Sequence, residues 1–343
     1  MSYKKRAKIY GLRIIILLVL VVLFSVFAIT QGSVQIPAFD VVKIVLTNAV
    51  DPSIKNAHVF IVQEVRLPRI LLSAMVGGVL SVVGAAFQAI FKNPMADPYV
   101  MGVSSGAAFG ATIGILFGIG ASFMGIGAIS IMAFVGALGT MLLVYTLALV
   151  GRKISTTSIL LAGVVVNALL SSVISFLMLM NHNKIDQIVT WTMGSFNAAS
   201  WQHVTFVVIP ALLGALYLML HAREYNALLL GEEEAQNIGV NVGSIKKRTL
   251  VLASFLSALS VAVSGIIGFV GLIVPHVFRM VFGPDHRILL PASFLGGALF
   301  LMMCDTLARS LLENMEIPVG IITSIIGGPF FLFLLLKHKK SMV

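Results

Sequence analysis

The sequence predicts an all-α integral membrane protein of about ten transmembrane helices, and three observations carry that reading. Hydrophobic residues make up 59% of the 343 positions and charged residues only 10%, whereas a soluble domain carries roughly 25% charged residues. Mean hydropathy is +1.04, so the chain cannot cover a water-facing surface and must use lipid as its solvent. Its apolar runs approach or exceed the roughly 20 residues that cross the hydrocarbon as a helix, and they lack the dyad alternation of barrel strands. Backbone in lipid must satisfy its own hydrogen bonds, which leaves helices.

The first span, 12–31, follows Lys4, Lys5, Arg6, Lys8 and Arg13. That start resembles the n-region of a signal peptide, but 14–30 ends without a small-residue cleavage site of the A-x-A type, so it is read as a retained span. Spans two and three, 66–91 and 97–117, are rich in small residues. Gly77, Gly78, Ser81, Gly84 and Ala85 run through one; Gly102, Gly106 and Gly110 recur every four residues in the other. Small residues one turn apart let helices approach closely, so packing is the preferred reading over lining a substrate path. Between these spans stand Asn93-Pro94 and Asp97-Pro98. Proline removes a donor and disfavours helix before it, which predicts re-entry through a non-helical segment. The remaining apolar runs are 123–151, 156–180, 200–222, 247–267, 268–283, 287–312 and 318–337.

The net charge of +10 is dispersed among the apolar runs with no basic patch interleaved with aromatics. That pattern points to the positive-inside rule and away from nucleic acid. Placing both basic termini in the cytoplasm puts 17 lysines and arginines inside and 6 outside, accounting for all 23. Two segments outside the bilayer are then long. Residues 31–65 are external, with an amphipathic stretch from Pro37 to Asn48 suited to the membrane surface. Residues 223–247 form the sizeable cytoplasmic loop. The whole of 1–343 reads as a single transmembrane domain.

Enzymatic chemistry finds little footing. The sequence has no G-x-x-x-x-G-K-[ST] and no H-E-x-x-H, so catalytic, metal and cofactor sites are all read as none. Cys304 is the lone cysteine and reads as a small hydrophobe. His276 and Arg279, one turn apart near a cytoplasmic helix end, read as structural. Asp305 is the nearest candidate for a mid-membrane carboxylate, which a self-sufficient ion-coupled secondary transporter would need. In the cytoplasmic loop, Glu232, Glu233 and Glu234 suit the start of a short helix. Gly231, Ala235 and Gly239 recur every four residues, giving a bare face for a partner's groove; a solvated acidic loop reads equally well.

Ordered landmarks then extend along the chain: Arg66-Leu67-Pro68-Arg69; Gln88 with Asn93-Pro94-Met95-Ala96-Asp97-Pro98; Leu160-Leu161-Ala162-Gly163; and Trp191-Thr192-Met193-Gly194-Ser195. After the Gly231–Gly239 loop come Gly268-Phe269-Val270-Gly271 running on to Pro275-His276, Asp285-His286-Arg287, Asp305 with Ala308-Arg309, and Glu316-Ile317-Pro318-Val319-Gly320. In this order the chain resembles the FecCD-type permeases, the membrane subunits of bacterial ATP-binding-cassette (ABC) importers for cobalamin, haem and ferric siderophores. The resemblance implies a type II importer permease in the bacterial cytoplasmic (inner) membrane, without a cofactor of its own. It implies two ATP-binding cassette ATPase subunits inside, an external substrate-binding protein, and a second permease copy or homologue. It makes Gly231, Glu232, Ala235 and Gly239 part of the ATPase-coupling loop, with Glu233 and Glu234 at variable positions. It makes Arg66, Arg69 and Arg309 the docking residues for the binding protein, and Thr156 and Thr157 the cytoplasmic gate. Arginines anchoring helix ends and threonines capping a helix are the simpler alternatives.

Overall fold

The computed structural model describes residues 3–32, 34, 36–47, 56–118, 122–123, 126–150, 153–154, 156–312 and 315–340. The chain enters as α1 (Tyr3–Thr30), then a short α2 (Ala38–Thr47) and a single turn α3 (Asn56–Phe60). A π-helical turn, Ile61–Arg66, leads into α4 (Leu67–Phe91) with Pro68 in its first turn, where a missing N–H costs nothing. A 3-10 turn (Pro98–Met101) opens α5 (Val103–Leu116), and α6 (Ala128–Leu147), α7 (Thr156–Met180), α8 (Ile185–Thr192) and α9 (Trp201–Leu220) follow. The segment after α9 folds as α10 (Ala222–Leu230) and α11 (Glu232–Asn237). Then come α12 (Val242–Ser264), α13 (Val270–Phe282), α14 (His286–Ser310) and α15 (Val319–Lys340).

Seven of these helices, counting the Asn56–Phe91 run as one, are long and apolar enough to cross a membrane. Three shorter apolar helices accompany them: Val103–Leu116, Val270–Phe282 and Val319–Leu334. Every predicted span has an apolar helix within it. The amphipathic stretch is α2, whose Val41 and Ile44 are buried in a small core with Ala28, Ile29, Val62, Ile70 and Met302; Asn48 lies outside the described residues. α4 is the hub. It packs on α9, α12, α13 and α14, and 83% of its span is buried, against 17% for α1 and for α7.

The small residues of α4 act as packing surfaces. A Cβ built on Gly84 would lie 1.9 Å from the Gly271 carbonyl oxygen of α13, and one on Gly77 would lie 2.2 Å from Gly297 O of α14. Gly106 and Gly110 of α5 likewise face the backbone of α6. The proline-marked break is as predicted in its location, but its second half is helical. Lys92 turns left-handed to end α4, and Asp97 caps the 3-10 turn by accepting from Tyr99 N at 2.7 Å. Between α12 and α13 the chain breaks at Phe269, whose φ of 69° is rare for a bulky residue; its ring fills the space beside Gly327 of α15.

Candidate functional site

At the end of the molecule where α1, α2 and the π-turn meet α14, three arginines gather. A π-turn takes in one residue more than an α-turn would, and Arg66 closes it. Arg69 lies three residues on, and Arg309 occupies the last turn of α14. The predicted docking trio is therefore brought together. Its guanidinium groups, however, point inward: Arg66, Arg69 and Arg309 are only 4%, 6% and 5% exposed. Arg66 donates to the carbonyl oxygens of Ile29 (2.7 Å), Thr30 (3.2 Å) and Val34. Arg309 donates to Ala28 O (2.6 Å) and Gln31 O (3.0 Å). These acceptors are carbonyls at the end of α1 and in the chain just after it, so the arginines tie down that helix end.

Arg69 is held by carboxylates. Its Nε and Nη2 donate to Asp305 at 2.9–3.1 Å, and Nη1 donates to Glu316 at 2.8 Å. Asp305 also lies 3.7 Å from Arg309 Nε. The carboxylate that a secondary transporter would use is thus a fully buried counter-ion between two arginines. Three cations face two anions around a cavity of about 160 Å³ lined by all three arginines and Glu316. Glu316 keeps 40% of its side chain exposed at the rim.

The opposite end carries the loop. α10 leads to Gly231 (φ +144°), α11 contributes the three glutamates, and Gly239 (φ +91°) turns the chain into α12. Asn241 caps that helix by accepting from Ser244 N at 3.0 Å. The bare face expected of Gly231, Ala235 and Gly239 does not form: Ala235 is fully buried, in one core cluster with Tyr225, Leu228, Val242 and Ile245. A six-residue helix has to lay its one apolar side on the protein, and alanine is the apolar residue that α11 has. What faces outward instead is Glu232 to Glu234, Gln236, Asn237 and Gly239, with Leu229, Leu230 and Ile238 at 47%, 69% and 64% exposed. Lys246 pairs with Glu232 at 2.6 Å.

Sequence reasoning missed what holds this loop in place. Asn226 of α10 donates to Asp285 Oδ1 at 2.7 Å and accepts from the backbone N–H of His286 at 2.8 Å, clamping α10 to the start of α14. Tyr225 meets Thr249 of α12 at 2.9 Å. Burial raises the Asp285 carboxyl, but hydrogen bonds from Arg287 and Asn226 outweigh it and hold the group at about 2. The landmark Asp285-His286-Arg287 was the available signal; nothing in it named Asn226 as the acceptor's partner. Thr156 and Thr157 open α7, and Thr157 is exposed; Arg152 before them lies outside the described residues.

α7 is a span with little cover, and its uncovered side is partly polar. Asn167, Ser171 and Ser175 recur every four residues, all exposed. Asn167 also lines a cavity of about 370 Å³ with Gly163, Asp97 and Phe269.

A model described as the FecCD transport family matches residues 17–337. Over 275 residues the chain is 46% identical to the cobalamin import system permease protein BtuC of Halobacterium salinarum, covering 80% of this chain and 73% of that one. It is 41% identical over 282 residues to the hemin transport system permease protein HmuU of Yersinia pestis, covering 81% and 84%. A solved inward-facing structure of an ABC transporter of the metal-chelate type superposes with a TM-score of 0.81 at 34% identity, covering 94% of this chain and 98% of that one.

Proposed function

Because the chain belongs to the FecCD transport family and is a multi-pass, non-enzymatic permease subunit of an ABC importer, we propose that it forms, with a second permease chain, the path for a bulky metal chelate. The relatives' cargoes, cobalamin and haem, support a chelate carried intact: a ferric siderophore, haem or a corrinoid. Such an importer implies a separate ATPase, a substrate-binding partner and a permease dimer. The finer reading is two ATPase subunits in the cytoplasm, one binding protein outside, and a partner permease that is a second copy or a homologue. Residues 1–343 act as one permease domain, with 31–65 external and 223–247 cytoplasmic.

The observation that carries the path is the exposed polar row on α7. A polar side chain facing hydrocarbon without a hydrogen bond is costly, so Asn167 and Ser171 favour a side turned to a water-filled interface between two chains, whereas Ser175 returns its hydroxyl to Ser171 O at 2.9 Å. Thr156 and Thr157 stand at the cytoplasmic start of that helix, which suits a gate built from two copies. The loop around Gly231, Glu232, Ala235 and Gly239 couples the ATPase, docking through its outward acidic and apolar residues while Ala235 seats it on the permease. At the external end, Arg66, Arg69 and Arg309 exceed their carboxylates by one charge, and Glu316 at the rim of their cavity is the carboxylate that a partner's could replace. We read this as the landing site for an acidic binding protein, where charge sets register and encounter rate more than affinity.

Purification from native membranes in mild detergent, with the mass of the complex, tests the reading. Two P-loop subunits per two permease chains are expected. A chain found alone that drives proton- or sodium-linked uptake in proteoliposomes overturns it.

A further inference from the structure

The geometry points to a binding site for one acidic phospholipid of the cytoplasmic leaflet, in the groove between α9 and α12. The groove has a volume of about 860 Å³. The two helices touch at Gly214, where a built Cβ would lie 2.6 Å from Leu256, and the groove opens beside that contact. Its chemistry is graded along its length. Pro210, Leu213, Val251 and Phe255 line one end; Tyr217, Ser244, Lys247 and Arg248 line the other. From Ser244 to Phe255 an α-helix rises about 16 Å, close to the roughly 15 Å of one leaflet's hydrocarbon. The polar end lies beside the loop read above as cytoplasmic, so the groove has the depth and the polarity of a single lipid standing in its own leaflet.

Charge selects the class of lipid. Lys246, Lys247 and Arg248 are consecutive, and the helix turns them apart. Lys246 pairs with Glu232 of α11. Lys247 and Arg248 are exposed and line the groove, with no carboxylate partner among the described residues. Two free cations at a membrane surface, above an apolar slot with Leu213 63% and Val251 45% exposed, attract an anionic headgroup. A zwitterionic lipid satisfies the slot but leaves the cations without an anion.

The test uses the full-length chain, stripped of lipid in detergent and offered phosphatidylglycerol or phosphatidylcholine of matched acyl chains. Retained lipid is read by native mass measurement. Phosphatidylglycerol is expected to be retained preferentially, and K247Q/R248Q is expected to cut that preference by about thirtyfold. Val251→Trp fills the slot while sparing both cations, and should lower retention of both lipids. Equal retention of the two lipids by the wild-type chain, or an unchanged preference in K247Q/R248Q, overturns the proposal. So does a disulfide between two copies formed through Leu213→Cys, which would put a second chain in the groove; the native Cys304 is buried and does not compete.

Discussion

The two ends of the molecule meet their surroundings in opposite ways. At the end built around Arg66, Arg69 and Arg309, charges are withdrawn from water and tied to four elements at once: α1, α4, α14 and the segment before α15. At the loop end, charges face out, with ion pairs between Lys246 and Glu232 and between Arg287 and Asp285, and a clamp through Asn226. Burial converts the same residue types from optional surface features into structural ties. A buried charge without its partner is costly, whereas an exposed one is rehydrated at little cost. The first end is assembled before any partner arrives; the second keeps its contacts available.

Four substitutions sharpen that contrast. Asp305→Ala strands Arg69 and Arg309 with one carboxylate between them and should cost about 3–5 kcal/mol, read as a fall in thermal unfolding of the detergent-solubilised chain. A loss under about 1 kcal/mol would erase the distinction between the ends. Gly239→Leu places a side chain at φ +91°, with nothing within 4 Å of the new Cβ. It should cost about 1–2 kcal/mol while the spans stay folded and ATPase stimulation by substrate falls; intact stimulation would remove the loop from the coupling path.

Asp285→Ala removes the side-chain cap of α14 and the Asn226–Asp285 hydrogen bond of the clamp, for about 1–2 kcal/mol. The carboxyl titrates lower in the folded chain than its ordinary value of about 3.9. Its contribution is therefore full above about pH 4 and lost as pH falls toward about 2, so the wild-type and variant unfolding curves should converge there. Lys246→Gln should be the mildest, within about 0.5 kcal/mol, because Glu232 is half exposed. A larger loss would mean that the loop end is tied down as firmly as the other.

The apolar helices were legible because lipid imposes length and composition on every span, and the glycines of α4 announced the close contacts that α4 makes with α13 and α14. The sites were legible as places and less so as orientations. Arg66 and Arg69 are three residues apart, and Arg309 follows Asp305 by one turn, yet nothing local says that Asp305 turns toward Arg69 across 236 positions. Ala235 shows the same limit. Four-residue spacing locates a face of a helix, but which side that face takes depends on what it packs against. Asn226 was invisible because its role exists only once α10 and α14 are neighbours.

Glu316 gives the arginine cavity a property of its own. The cavity already holds a carboxylate from its own chain, so an incoming acidic group enters by exchange. One ion pair is broken for each one made, and Glu316, at the rim with its side chain partly in water, is the member that can leave. Added salt then screens the broken pair and the new pair alike, so the equilibrium should respond to ionic strength less than a count of contacts suggests. The encounter still feels the field of the approaching charges and should slow with salt. The affinity measured for such a partner is a competition constant, referred to the internal rival.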